Sequence, residues 1–133
     1  MSKGRAALVG LALLALPGCT RTEDYLEVAR AQQEALRDVT AVLTHIHSEK
    51  DMAAAKEKLD DGEARFEAIA RKARALPKPP PEVASRLQDE APKMQRALEQ
   101  LRDEVQRVRG LPGGQEFLKQ YQGRTGLFSA PAP

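Results

Sequence analysis

Met52, Ala55, Leu59, Gly62, Phe66, Ile69, Ala73 and Leu76 follow one another in alternating steps of three and four residues. That spacing returns to one side of an α-helix at every turn, whereas a strand would need a period of two. A long helix with one apolar face must bury that face against another element. Gly62 is the weak member, because glycine inside a helix costs about 1 kcal/mol relative to alanine. Asp60-Asp61-Gly62 could instead form a turn that splits the helix. The register is identical on both sides of Gly62, which favours an unbroken helix.

Two neighbouring segments repeat the pattern. Leu36, Val39, Leu43 and Ile46 carry an apolar stripe that Leu26 and Ala29 extend backwards and Ala35 and Val42 widen. The spacing predicts a helix from about Glu23, with Thr22 as its cap and acids in its first turn. Ser48 to Asp51 reads as a restart, with the Ser48 hydroxyl accepting from the backbone of residue 51 and Asp51 standing in for the reciprocal glutamate. Val83, Leu87, Ala91, Met94, Leu98, Leu101, Val105 and Val108 line the third segment. Pro92 inside it should kink the helix and free the carbonyl of Gln88. Gly110 is the expected terminator.

Pro77-Lys78-Pro79-Pro80-Pro81 separates the second and third segments. Proline fixes φ and removes donors, so this is a stiff connector, and Pro81 suits the first turn of the next helix. The alternative, a proline-rich ligand for a recognition domain, is the weaker reading. No alternating Val/Ile/Thr run is bounded by turn residues, so nothing reads as a strand. The expected fold is all-α: an up-down-up three-helix bundle over 23–109, a coiled-coil-like hairpin plus a third helix. Residues 110–133 should add a short helical turn around Gln115 to Tyr121 and a flexible tail. Pairs such as Glu67 with Arg71 and Asp103 with Arg107 would lie on the solvated faces.

The first nineteen residues are of a different kind. Lys3 and Arg5 precede an uncharged apolar run, Ala6 to Leu16, that Pro17-Gly18 ends. As a helix the run would reach roughly 16 Å, against about 30 Å of hydrocarbon. It is too short to span a membrane. A basic start, a short apolar middle and small residues at the exit form a secretory signal peptide. The exit, Leu16-Pro17-Gly18-Cys19, resembles the lipobox of bacterial lipoproteins, with leucine three places before the cysteine and a small residue just before it. Pro17 departs from the small residue usual there.

The resemblance implies cleavage after Gly18, a diacylglyceryl group on the Cys19 sulfur and a further acyl chain on its amine. Residues 1–18 would be the signal peptide and 19–22 the lipidated tether, with the membrane as partner through Cys19. Two or three chains would make attachment effectively permanent. Thr20 stands where aspartate serves as the usual inner-membrane retention signal. By that likeness the protein would be exported and anchored to the outer membrane, facing the periplasm. The layout also resembles small helical lipoproteins of Gram-negative envelopes, a group with no established activity to transfer. Cys19 is the only cysteine, so an intramolecular disulfide is excluded.

Removing residues 1–18 removes two cations and leaves 19 basic and 19 acidic residues. The basic footprint of a nucleic-acid binder is therefore missing. Tryptophan is absent and aromatic residues make up 4% of the chain, so the core is thin. Marginal stability, or self-association through the apolar seams or with an envelope partner, is the expectation.

Chemistry is sparse. His45 and His47 are the only histidines, and two apart on a helix they point to different faces. A turn between them would gather His45, His47 and Glu49 as metal ligands. Two polar residues at a solvated helix end is the simpler reading, and no metal or other cofactor is expected. Asp60-Asp61 and Asp89-Glu90 lack the divergent environments that paired catalytic acids need. Gly110, Gly113 and Gly114 lack the Lys-Ser/Thr of a phosphate loop. No Ser-His-acid set is evident, so the chain is not expected to be an enzyme. Leu127 and Phe128 in the tail are a candidate docking anchor. The leading expectation is a membrane-anchored interaction or scaffolding protein of the cell envelope. A periplasmic small-ligand or metal-binding module and an accessory subunit of an envelope complex are the alternatives.

Overall fold

The computed structural model describes residues 20–121. Residues 1–18, expected to be a signal peptide, Cys19, and the tail with Leu127 and Phe128 lie outside them. The described residues form four helices, α1 (Thr22–Thr44), α2 (Glu49–Ala75), α3 (Pro81–Arg109) and α4 (Gly114–Lys119), and no strand. The protein is an all-α helical bundle, as the three apolar periodicities required.

Helix α1 starts one residue earlier than Thr22 as a cap would allow. Arg21 is the cap residue, in an extended conformation, and Thr22 is the first helical residue. Asp24 makes the start by accepting the Arg21 backbone N–H at 2.8 Å, which also places negative charge at the positive end of the helix dipole. The turn into α2 follows the expected plan more closely. Ser48 Oγ accepts from the Asp51 N–H at 3.3 Å. The Asp51 carboxylate reaches past Ser48 and accepts from the His47 N–H at 2.9 Å. Ile46, inside this four-residue turn, is buried and pins it to the core.

Helix α2 runs unbroken through Gly62. The glycine is there for packing: a Cβ at position 62 would lie 2.7 Å from Cγ2 of Val39, a buried side chain of α1. After Leu76 the prolines carry the chain across the end of the bundle. The Tyr25 hydroxyl donates to the Pro77 carbonyl at 2.9 Å and ties this crossing to the start of α1. Pro81 opens α3, and α3 continues through Pro92. Pro92 and Gln88 are both exposed, so solvent can hydrate the carbonyl that proline leaves without an N–H partner. Gly110 caps α3 in a right-handed conformation at φ −77°. The left-handed residue is Gly113, at φ 76°, which turns the chain into α4.

The long helices alternate in direction, but they are not equal partners. Helix α1 packs against both α2 and α3, while no Cα of α2 comes within 8 Å of one in α3. A helix covered on two sides needs a wide apolar surface, and α1 supplies Leu26, Ala35, Leu36, Val39 and Leu43. Its stripe looked the least regular because it serves two neighbours.

Helix α3 presents a narrower face than its sequence suggested. Val83, Leu101, Val105 and Val108 are buried as expected, and so are Ala97 and Glu90. Leu87 and Met94 are only half-buried, and Ala91 and Leu98 are exposed, Leu98 at 41%.

The largest surprise is α4. Phe117, Leu118 and Tyr121 join the main core with Ile46, Met52, Leu101 and Val108. Phe117 and Tyr121 meet edge to face at 5.6 Å between ring centroids. The short helix touches both α2 and α3 and closes the end of the bundle that contains the α1–α2 turn. The bundle therefore extends past residue 109.

Candidate functional site

Two apolar grooves lie along the seam between α1 and α2. At the end that α4 closes, Ala41, Val42, Ile46, Ala54 and Ala55 line an apolar groove of about 360 Å³, joined by His45, Asp51 and Lys58. At the opposite end a second groove of about 330 Å³ is lined by Val28, Ala31, Ile69, Ala75 and Leu76, with Asp24, Glu27 and Lys72. Between them, Arg65 of α2 crosses to α1, pairing with Asp38 and, at 3.7 Å, with Glu34. The seam is thus two short apolar troughs separated by an ionic bridge. Exposed pairs of this kind contribute only about 0–1 kcal/mol, so the bridge fixes surface shape more than stability.

The candidate metal ligands do not converge. His45 Nδ1 lies 2.7 Å from the carbonyl of Ala41, and since a carbonyl only accepts, Nδ1 carries the proton. The imidazole is folded back on its own helix. His47 is exposed, with its backbone N–H committed to Asp51. Glu49 packs on the turn before α4, its Oε1 2.6 Å from where a Cβ on Gly113 would be. Among the described residues no group of three or more His, Cys, Asp or Glu side chains is placed to hold a metal ion. The turn that could have gathered these side chains does not bring them together.

Two polar arrangements inside the bundle were not foreseen. Arg107 was assigned to the solvated face with Asp103. It pairs instead with Glu104, Nε to Oε2 at 2.8 Å, and its other two nitrogens donate to the end of α1 and to the turn after it. Nη1 reaches the Ile46 carbonyl at 2.8 Å and Nη2 the Leu43 carbonyl at 2.7 Å. Leu43 lies in the last turn of α1, where its carbonyl also accepts from the Ile46 N–H at 2.9 Å, and Ile46 lies in the turn just beyond the helix. Glu67 likewise pairs with Arg74 at 3.2 Å rather than with Arg71.

The second arrangement centres on Glu90, which among the described residues is buried along with the polar Gln33 and Glu63. Gln33 Nε2 donates to Glu90 at 3.0 Å across the α1–α3 contact. Lys93 and Arg30 approach the same carboxylate at 3.5 and 3.9 Å. The Gln33 bond holds the Glu90 carboxyl below its ordinary value, aided by those two cations and opposed by desolvation. Asp51 is lowered as well, first by the His47 backbone N–H and then by Ser48, against some desolvation. Both carboxylates stay charged and fix helix geometry. Neither is poised to exchange a proton near neutral pH.

Leu16, Gly18 and Cys19, the residues of the lipobox-like stretch, lie outside the described residues. Thr20 and Arg21 alone separate Cys19 from the first turn of α1. No helix among the described residues is long and apolar enough to cross a membrane. Fold and surface together define a small helical bundle with shallow apolar troughs. No protein family, curated protein or solved structure matches the chain.

Proposed function

We propose that this protein is a lipid-anchored component of the bacterial cell envelope whose helical body serves as an interaction or scaffolding element. The observation that carries the reading is the Leu16-Pro17-Gly18-Cys19 sequence at the end of a short apolar run behind Lys3 and Arg5. Acyl chains on Cys19 would hold the mature chain to the periplasmic face of the outer membrane, the side that Thr20 favours. Leu98, exposed at 41% beside the half-buried Leu87 and Met94 on α3, is the place on the described surface where such an interaction would begin.

Mass spectrometry of the native protein tests the anchor: a chain beginning at Cys19 with added acyl mass is expected, and an intact amino terminus with a free thiol would end the proposal. Photo-crosslinking from position 98 in intact cells tests the role. Discrete heterologous adducts identify an accessory subunit, and self-adducts alone identify a homo-oligomer. A second reading, a binding module for a small apolar ligand, draws on the groove beside His45. Absence of any adduct would favour it.

A further inference from the structure

Residues 68–81, the last two turns of α2 and the proline crossing, hold Arg71, Lys72, Arg74 and Lys78 and not one acidic side chain. Arg71, Lys72 and Lys78 are exposed and make no ion pair among the described residues, whereas Arg74 is engaged by Glu67. This basic segment sits at one end of the molecule, and the Tyr25 bond to Pro77 holds it beside the start of α1. The far end differs. There Glu49 and Asp51 flank Lys50, Glu104 pairs with Arg107, and Glu116 pairs with Lys119.

The same end carries the tether point. Cys19 precedes Thr20, and consecutive Cα atoms are about 3.8 Å apart. Arg21 is fixed by its N–H bond to Asp24. An anchor at residue 19 therefore has almost no slack, and the acid-free segment is brought within reach of the headgroups.

We infer that Arg71, Lys72 and Lys78 form a surface for anionic phospholipid headgroups that docks the crossing end of the bundle on the membrane. The acids at this end, Glu23, Asp24 and Glu27 of α1 and the exposed Glu82 at the start of α3, limit the attraction. Asp24 already accepts the Arg21 N–H, and the three free cations project from a different helix and its linker. Each cation held at an anionic surface strengthens attachment by about fivefold. With this end on the bilayer, α1 carries the α1–α2 turn and α4 about 34 Å outward. The inference rests on Cys19 being the anchored residue.

Coupling the chain that begins at Cys19, through its sulfur, to a maleimide lipid supplies the anchor chemically and separates this test from that of native acylation. The chain has no tryptophan, so single reporters at Ala75→Trp and Gln115→Trp can be read by quenching from headgroup spin-labelled lipid. In vesicles containing phosphatidylglycerol, the reporter at 75 should be quenched several-fold more than that at 115. This contrast should be lost in 1 M salt, in pure phosphatidylcholine, and in an Arg71→Gln/Lys72→Gln/Lys78→Gln variant that keeps its helical circular dichroism. Equal quenching at both positions would overturn the inference. So would a contrast indifferent to salt, lipid charge and the triple substitution, because the tether alone would then explain it.

Discussion

Arg107 Nη2 donates to the carbonyl of Leu43 at 2.7 Å, so a side chain of α3 finishes the last turn of α1. A helix end normally satisfies such carbonyls with a local turn or with water. Here the local turn supplies the Ile46 N–H, 2.9 Å from the Leu43 carbonyl, and a guanidinium from 64 residues later in the chain adds a second donor there and serves the Ile46 carbonyl as well. Only a planar fork can meet both oxygens at once.

Arg107→Lys should therefore destabilise the fold almost as much as Arg107→Ala, by about 2 kcal/mol. Urea denaturation followed by circular dichroism measures it. A lysine variant as stable as the parent would show that the fork is not what holds the turn.

At the waist of the α1–α2 seam, Gly62→Ala sets two effects against each other. Alanine favours the helix by about 1 kcal/mol, but its methyl would press on Val39, a stiff, buried, β-branched side chain. Overpacking costs about 1–3 kcal/mol, so a net loss near 1 kcal/mol is expected. Val39→Ala should relieve it, and in the double variant the alanine at 62 should become neutral or stabilising. A double-mutant cycle without coupling would contradict the close approach.

Closure of the bundle by α4 predicts that Leu118→Ala, at a fully buried position, costs about 2–4 kcal/mol. Gly114→Ala should be comparably damaging, because its Cβ would collide with the Val108 carbonyl. Thermal unfolding of both variants decides the point. Parent-like melting in either would mean that α4 is dispensable to the core.

The Glu90 carboxyl is held below its ordinary value of 4.5 by Gln33, with Lys93 and Arg30 assisting. A folded value below the unfolded one binds fewer protons in the native state. Its stabilisation is thus fully present above pH 4.5 and fades as pH falls through the folded value. In urea titrations from pH 7 to pH 3, the advantage of the parent over Glu90→Gln should be constant at high pH and shrink below about 4.5. An advantage that does not change with pH would remove Glu90 from the account.

Much of the architecture could be read from residue spacing. The seven steps of α2, the Ser48 restart and the proline crossing each arise from local rules, in which a helix repeats at 3.6 residues and proline lacks an N–H. Which stripe faces which neighbour was not local. Glu90 and Gln33 interrupt apolar faces and read as surface until the two helices bring them together. Arg107 read as a solvated residue because its partners lie in another helix. No sequence signal distinguished the row from Leu87 to Leu98 from the buried row beside it, since both are apolar at helical spacing.

The chain by itself determined that it would be helical, where the long helices would start and stop, and that the first nineteen residues carry a lipobox-like exit. Periodicity, capping and proline chemistry act over a few residues, so they are written in the order of the amino acids. Tertiary structure alone decided that α1 is the central helix, that α4 closes one end, and that His45, His47 and Glu49 turn apart. Those outcomes depend on distances between residues far apart in sequence, and packing sets such distances only once all the helices compete for the same buried space.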